Sequence, residues 1–253
     1  MPSLIEFTGR TRALRNVKKV TLEDIPKLTK CTLLTAFKCV EKVKMKNASK
    51  LEEMKALVNA KVVAEGVVKK TLPMNKSKGE RSVGTTDSNG IQRTQEKPVE
   101  VHTKAVVTCM NEWDTLRTSQ VNILVVASRC CNEEGLTVLP MSWFVHLREF
   151  RVGHECFENV REVQLIELSE LKSVEVGENS FTKKKNWFGS DPSRCFYLKN
   201  CPRLKSLKIG KCSFSDYTTC EIEKVDCLKV IEIGDVTDWS RNFSFASLEL
   251  KSG

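Results

Sequence analysis

The sequence predicts a repeat solenoid, built mainly of parallel β-strands with short turns and helical segments. Three observations lead there. The segment LKSLKIGKCSF (Leu204–Phe214) nearly copies LKSVEVGENSF (Leu171–Phe181), with six of eleven positions identical. Leu147, Leu171, Leu204 and Leu228 recur at intervals of 24, 33 and 24 residues, and a period near 24 marks stacked short units. Each copy also alternates apolar and polar residues as a half-buried strand does.

The copies align without gaps over VQLIELSELKSVEVGENSF (Val163–Phe181), FYLKNCPRLKSLKIGKCSF (Phe196–Phe214) and CEIEKVDCLKVIEIGD (Cys220–Asp235). A partial copy, Leu147–Phe157, precedes them, and FASLELKSG (Phe245–Gly253) starts another. The longer interval holds FTKKKNWFGSDPSRC (Phe181–Cys195), which reads as an insertion carried on a loop. Gly153, Gly177, Gly210 and Gly234 close the strands, and a left-handed turn residue is expected at each. One copy is too small to bury its apolar stripe, whereas stacked copies bury a continuous one.

Three regions follow. Residues 1–62 form a basic N-terminal region with weak repeats, Val20–Leu28 and Val43–Leu51 matching the first half of the unit. Residues 63–105 are polar and read as a linker that buries too little surface to offset its ordering entropy. Residues 106–253 carry the repeats proper.

At this point the chain resembles leucine-rich repeat proteins of the divergent BspA-like class. Phe196, Cys201, Leu204, Leu207, Ile209, Gly210, Ser213 and Phe214 follow that class's order of apolar, cysteine and leucine positions, closed by a glycine and a Ser-Phe pair. The resemblance covers about 120–250 and is weak over 14–57. It implies a curved, leucine-rich-repeat-like solenoid of parallel strands whose use is to bind proteins.

Charge points to where a partner would dock. The net charge of +9 is uneven. Residues 1–62 hold 14 Lys/Arg against 6 Asp/Glu, residues 63–104 hold 8 against 5, and residues 105–253 hold 19 against 21. Each of the four aligned leucines is followed by a cation, at Arg148, Lys172, Lys205 and Lys229. Such a row lacks an acidic partner at its own position and would attract an acidic protein surface or phosphates. Lys183, Lys184 and Lys185 beside Trp187 form a second candidate, since basic and aromatic residues on one loop make contact hot spots. The outward strand positions Arg151, Glu175, Lys208 and Glu232 alternate in sign and are expected to pair between neighbouring strands.

The exclusions matter equally. There is no GxSxG, P-loop, HExxH or dinucleotide fingerprint, so the chain reads as no enzyme, with no cofactor. Eleven cysteines without a CxxC and only three histidines leave no metal spacing. An odd cysteine total fits reduced thiols better than a disulfide framework. The start, MPSLIEFTGR, lacks the apolar core of a secretory signal, and no apolar run approaches the ~20 residues of a membrane span. A cytoplasmic protein is expected, the alternative being the cell surface by an unrecognised route. The partner is therefore expected to be a protein, with nucleic acid or an acidic surface at the basic region as the alternative. The sequence stops inside a repeat, so its last strand is expected to expose an edge open to self-association.

Overall fold

The computed structural model describes residues 1–9, 13–33, 42–46, 53–54, 61–65, 103–116, 120–139, 141–183, 190–235 and 240–252. Short strands follow one another along the chain. They are β1 (Glu6–Gly9), β2 (Lys19–Glu23), β3 (Lys30–Leu33), β4 (Lys42–Lys46), β5 (Glu53–Met54) and β6 (Lys61–Glu65). After β7 (Lys104–Val107) and helix α1 (Met110–Thr115) come β8 (Ile123–Val126), β9 (Val138–Leu139), β10 (Glu149–Val152) and β11 (Glu162–Ile166). The series ends with β12 (Ser173–Val176), β13 (Asp191–Lys199), β14 (Ser206–Ile209), β15 (Tyr217–Glu223), β16 (Val230–Ile233) and β17 (Ser247–Lys251).

These strands build two wholly parallel sheets. One runs β5-β3-β1-β16-β14-β12-β10-β8-β7, the other β6-β4-β2-β17-β15-β13-β11-β9. From β8 onward, consecutive strands alternate between the two sheets, so each sequence copy contributes one strand to each. The repeat-like, mainly parallel β construction expected from the sequence is therefore present.

Stack order differs from chain order. β2 pairs with β17 through Leu248↔Val20 and Leu250↔Leu22, while β1 pairs with β16 through Phe7↔Ile231. The alternation passes without interruption from β16 and β17 to β1 and β2, so strands β1 to β6 continue both sheets. This corrects the expected open edge at Ser247–Lys251, since that strand is hydrogen-bonded on both sides, to β15 and to β2. Self-association through that edge has no free backbone groups to use. The expected linker of 63–105 lies mostly outside the described residues, and its ends, 63–65 and 104–105, belong to β6 and β7.

The strands form because alternate side chains find a common interior. The repeating leucines Leu147, Leu171, Leu204 and Leu228 are fully buried, and Leu4 and Leu28 continue their column in the N-terminal block. Phe157, Phe181, Phe214 and Phe243 stack ring on ring between the sheets, at centroid separations of 5.0, 4.7 and 5.0 Å. Trp113 of α1 caps the first of these rings edge-on at 5.5 Å. Burying one such ring contributes about 1.5–3 kcal/mol, so this spine and the leucine column hold the stack together.

Three of the four turn glycines work differently from expectation. Of Gly153, Gly177, Gly210 and Gly234, only Gly234 has positive φ, at 84°. The left-handed turn positions are instead taken by Glu155, Phe157, Asn179, Phe181, Cys212 and Phe214. Gly177 is required for a close approach, because a Cβ there would lie 2.6 Å from the backbone of Gly153, and Gly210 meets Gly177 in the same way. Successive turns are packed too tightly for any side chain between them.

Candidate partner-binding surface

Arg148, Lys172, Lys205 and Lys229 each stand directly before a strand of the nine-stranded sheet. Their backbones form one line: Lys172 N–H donates to Arg148 O at 2.7 Å, Lys205 to Lys172 at 2.8 Å and Lys229 to Lys205 at 2.9 Å. Asn122 precedes the line, and Ile5 and Thr29 prolong it at 3.0 Å per bond. The sequence register thus becomes a physical column, with one rung about every 4.8 Å.

The side chains divide the four cations. Arg148 Nε lies 3.0 Å from Glu170 Oε2, and the other oxygen of Glu170 lies 3.0 Å from His146 Nδ1. The hydrogen bonds from His146 and Arg148 hold the Glu170 carboxyl below its usual range. The expectation of an unpartnered row is therefore corrected at Arg148. Lys172, Lys205 and Lys229 are exposed and form no ion pair among the described residues.

The register explains the difference. Glu170 stands two residues before Lys172 and reaches back to the rung below. The equivalent positions in the next copies hold Arg203, Cys227 and Ser3. An arginine, a thiol and a hydroxyl offer no carboxylate to Lys172, Lys205 or Lys229. Sequence reading missed this position because it lies outside the apolar pattern that defines the repeat.

Ile5 was also missed. LIEF (Leu4–Phe7) aligns with LKSL (Leu204–Leu207), so an exposed isoleucine stands on the cation column, one rung beyond Lys229. It is 46% exposed, among the largest exposures of an aliphatic side chain described. The signal was present in the leucine spacing but needed the stacking of 1–9 on β16 to give it meaning.

The alternating column on the strand face is in register as expected, Arg151↔Glu175↔Lys208↔Glu232. Lys208 Nζ pairs with Glu232 at 3.3 Å, while Arg151 turns to Glu149 on its own strand at 2.7 Å.

Of the insertion's basic cluster, Lys184, Lys185 and Trp187 lie outside the described residues. Lys183 donates from Nζ to Asn159 Oδ1 at 2.8 Å and from its backbone N–H to Asp216 at 3.3 Å, so it anchors the loop's base. Arg194 closes the other end. It is 2% exposed, lies 3.4 Å from the buried carboxylate of Asp216 and 3.7 Å from Asp191, and donates to the carbonyls of Glu158 and Val160. Asp216 thus ties both ends of the insertion to the stack.

The N-terminal strands carry a second basic surface. Lys19, Lys42 and Lys61 share one register column of the eight-stranded sheet, and Lys42, Lys44 and Lys46 are exposed along β4. Lys44 pairs with Glu23 at 2.6 Å and Lys19 with Glu249 at 3.0 Å, which neutralises part of it.

Among the described residues no three His, Cys, Asp or Glu side chains converge to hold a metal ion. The described cysteines are free thiols, with Cys201 and Cys220 in the core and Cys109 and Cys227 exposed. No described helix is long and apolar enough to cross a membrane. The fold and surface define a mainly parallel β protein of repeat-like construction with an in-register cationic column. No family model matches the chain, and no curated protein or solved structure matches it either.

Proposed function

We propose that the chain is a non-catalytic protein-interaction module, a leucine-rich-repeat-like solenoid of the BspA-like kind, working in the cytoplasm. The observation that carries this reading is the column of Lys172, Lys205 and Lys229. Three exposed cations stand in hydrogen-bonded register, and no acid among the described residues pairs with them. Stacked short units present extended surfaces of this kind, and their use is recognition. An odd total of eleven cysteines suits a reducing compartment better than a disulfide framework. The test is capture of partners from source cells at physiological salt, with and without nuclease. A defined protein retained after nuclease, and lost on Lys172→Glu with Lys205→Glu, supports the reading; a chain that retains only small molecules refutes it.

A second reading rests on the N-terminal strands. The like-charged register column of Lys19, Lys42 and Lys61 favours a polyanion, RNA, DNA or an acidic surface, bound through residues 1–62. It requires an affinity that falls steeply with salt and drops with Lys42→Glu and Lys46→Glu. Salt-insensitive binding removes it.

A further inference from the structure

Beside the cation column runs a second column of outward strand positions: Ser173, Ser206 and Val230, followed by Glu6. Ser173 and Ser206 are half-buried, and their hydroxyls form no hydrogen bond among the described residues. The surface therefore has an internal order. Two rungs present a lysine beside a small free hydroxyl, Lys172 with Ser173 and Lys205 with Ser206. The third presents Lys229 beside Val230, and the fourth presents exposed Ile5.

Both ends are closed by ion pairs. At one end Glu170 occupies Arg148, at 3.0 Å. At the other, Glu6 is taken by Lys30 at 2.7 Å. What lies between is polar and cationic at one end and apolar at the other, over three intervals of about 4.8 Å.

We propose that this strip binds an extended acidic peptide segment of a partner protein, with carboxylates on the lysine rungs and an apolar side chain on Val230 and Ile5. The inference rests on the interaction-module reading and names the partner's chemistry. An extended chain rises about 3.3 Å per residue, so acidic residues three apart span Lys172 to Lys229. The apolar residue falls one or two positions further on. The serine hydroxyls suit a peptide backbone, whose carbonyl and N–H groups need partners. Nucleic acid fits the strip less well, because its regular phosphates have no use for Val230 and Ile5 and meet only three cations.

The test uses the full chain and a fluorescein-labelled peptide of four glutamates followed by two isoleucines. Binding is read by anisotropy at physiological salt, beside an all-glutamate peptide, a single-stranded oligonucleotide and phosphatidylserine vesicles. The expected result is binding of the mixed peptide, weakened about 10-fold or more by Lys205→Glu, where an attraction becomes a repulsion. Ile5→Ser should remove the preference for the mixed peptide over the all-glutamate one. Glu170→Gln should strengthen binding ~2–5-fold by releasing Arg148 to the strip, the gain of one exposed ion pair. All three positions are surface, and circular dichroism verifies that each variant is folded.

Unchanged peptide binding in a folded Lys172→Glu, Lys205→Glu, Lys229→Glu variant overturns the inference. So does tighter binding of the oligonucleotide or the vesicles that is lost in that same variant. Capture from cells separates this from the broader reading. If the triple variant retains the same protein partners as the parent, the interaction module stands and the strip is wrong as its site. If the parent retains no protein at all, the module reading itself falls.

Discussion

Ser213 Oγ donates a hydrogen bond to the carbonyl of Gly177 at 2.6 Å, one repeat away and deep in the stack. The same oxygen accepts the N–H of Ser180 at 3.0 Å. Ser180 repeats both contacts one level down, donating to Gly153 O at 2.8 Å and accepting from Cys156 N–H at 3.1 Å. Cys156 donates in turn to Ala127 O at 3.0 Å, and Asn242 tops the ladder by donating to Gly210 O at 2.6 Å. Each turn thus satisfies the backbone of its neighbour, beside the phenylalanine spine. Buried N–H and C=O groups that sheet pairing does not reach find their partners here.

Ser213→Ala removes a donor and an acceptor at once, leaving Ser180 N–H and Gly177 O buried without partners. The expected loss is about 1–3 kcal/mol, read as a lower urea midpoint. Ser213→Cys should lose clearly less, because Cys156 already fills the equivalent place two levels down.

Close approach at the glycines gives a sharper contrast. A Cβ on Gly177 would sit 2.6 Å from Gly153 backbone atoms, which cannot swing aside as a flexible side chain could. Gly177→Ala should cost roughly 1–3 kcal/mol or more by forcing adjacent turns apart. Gly135 has open space around its Cβ position, so Gly135→Ala should stay within about 0.5 kcal/mol of the parent. Equal thermal shifts for the two would contradict the close-packing account.

These positions show what the sequence made legible. The leucine column, the strand alternation and the register of the cation row all followed from a period near 24, because burial repeats with the fold. The serine–cysteine–asparagine ladder did not, since its members differ chemically and only their geometry is shared. Gly234 has the positive φ expected of it, but Gly153, Gly177 and Gly210 were given the wrong reason: φ is a local property, whereas their need arises between neighbouring turns. The placement of β1 and β2 after β16 and β17 could not be read from a linear pattern. The pairing partners stand more than 200 residues apart in the chain, and that placement is what sets Ile5 beside Lys229.

Arg194 tests the anchoring of the insertion. It is buried against Asp216, and both side chains are about 2% exposed. Arg194→Met leaves that carboxylate in the interior without its counter-charge, an expected cost of about 3–5 kcal/mol. Adding Asp216→Asn should recover a substantial part, because the remaining amide is neutral. A double variant no more stable than the single one would mean the arginine acts through packing alone.

Thiol chemistry should follow burial. Desolvation pushes Cys31 up to about 12 and Cys201 up to about 11, and raises Cys220 as well. The reactive form is the thiolate, so these three should resist alkylation at pH 8 while exposed Cys109 and Cys227 react readily. Peptide mass spectrometry after brief iodoacetamide treatment reads the order directly. Rapid labelling of Cys201 would contradict its place in the core.

The ion pairs at the end of the cationic strip set an acid response. Hydrogen bonds from His146 and Arg148 hold Glu170 below the ordinary glutamate range in the folded chain. A carboxyl depressed on folding stabilises the fold above its unfolded value, and that stabilisation is lost as pH falls through the folded one. The effect of Glu170 should therefore be present at neutral pH and fade below about pH 4.5, the region where an unfolded glutamate takes up its proton. Asp191, depressed by its bonds from Ser193, and Glu249, depressed by Lys251 and Lys19, act in the same direction and share the acid slope. Glu170→Gln should flatten part of that slope and leave the rest. In the same acid range the parent's Arg148 is released from its carboxylate, so its column should gain a rung that Glu170→Gln already has. Peptide binding by the two proteins should then converge as the pH falls, with the titration restricted to peptides whose own charge does not change over the range, such as sulfonate-bearing ones.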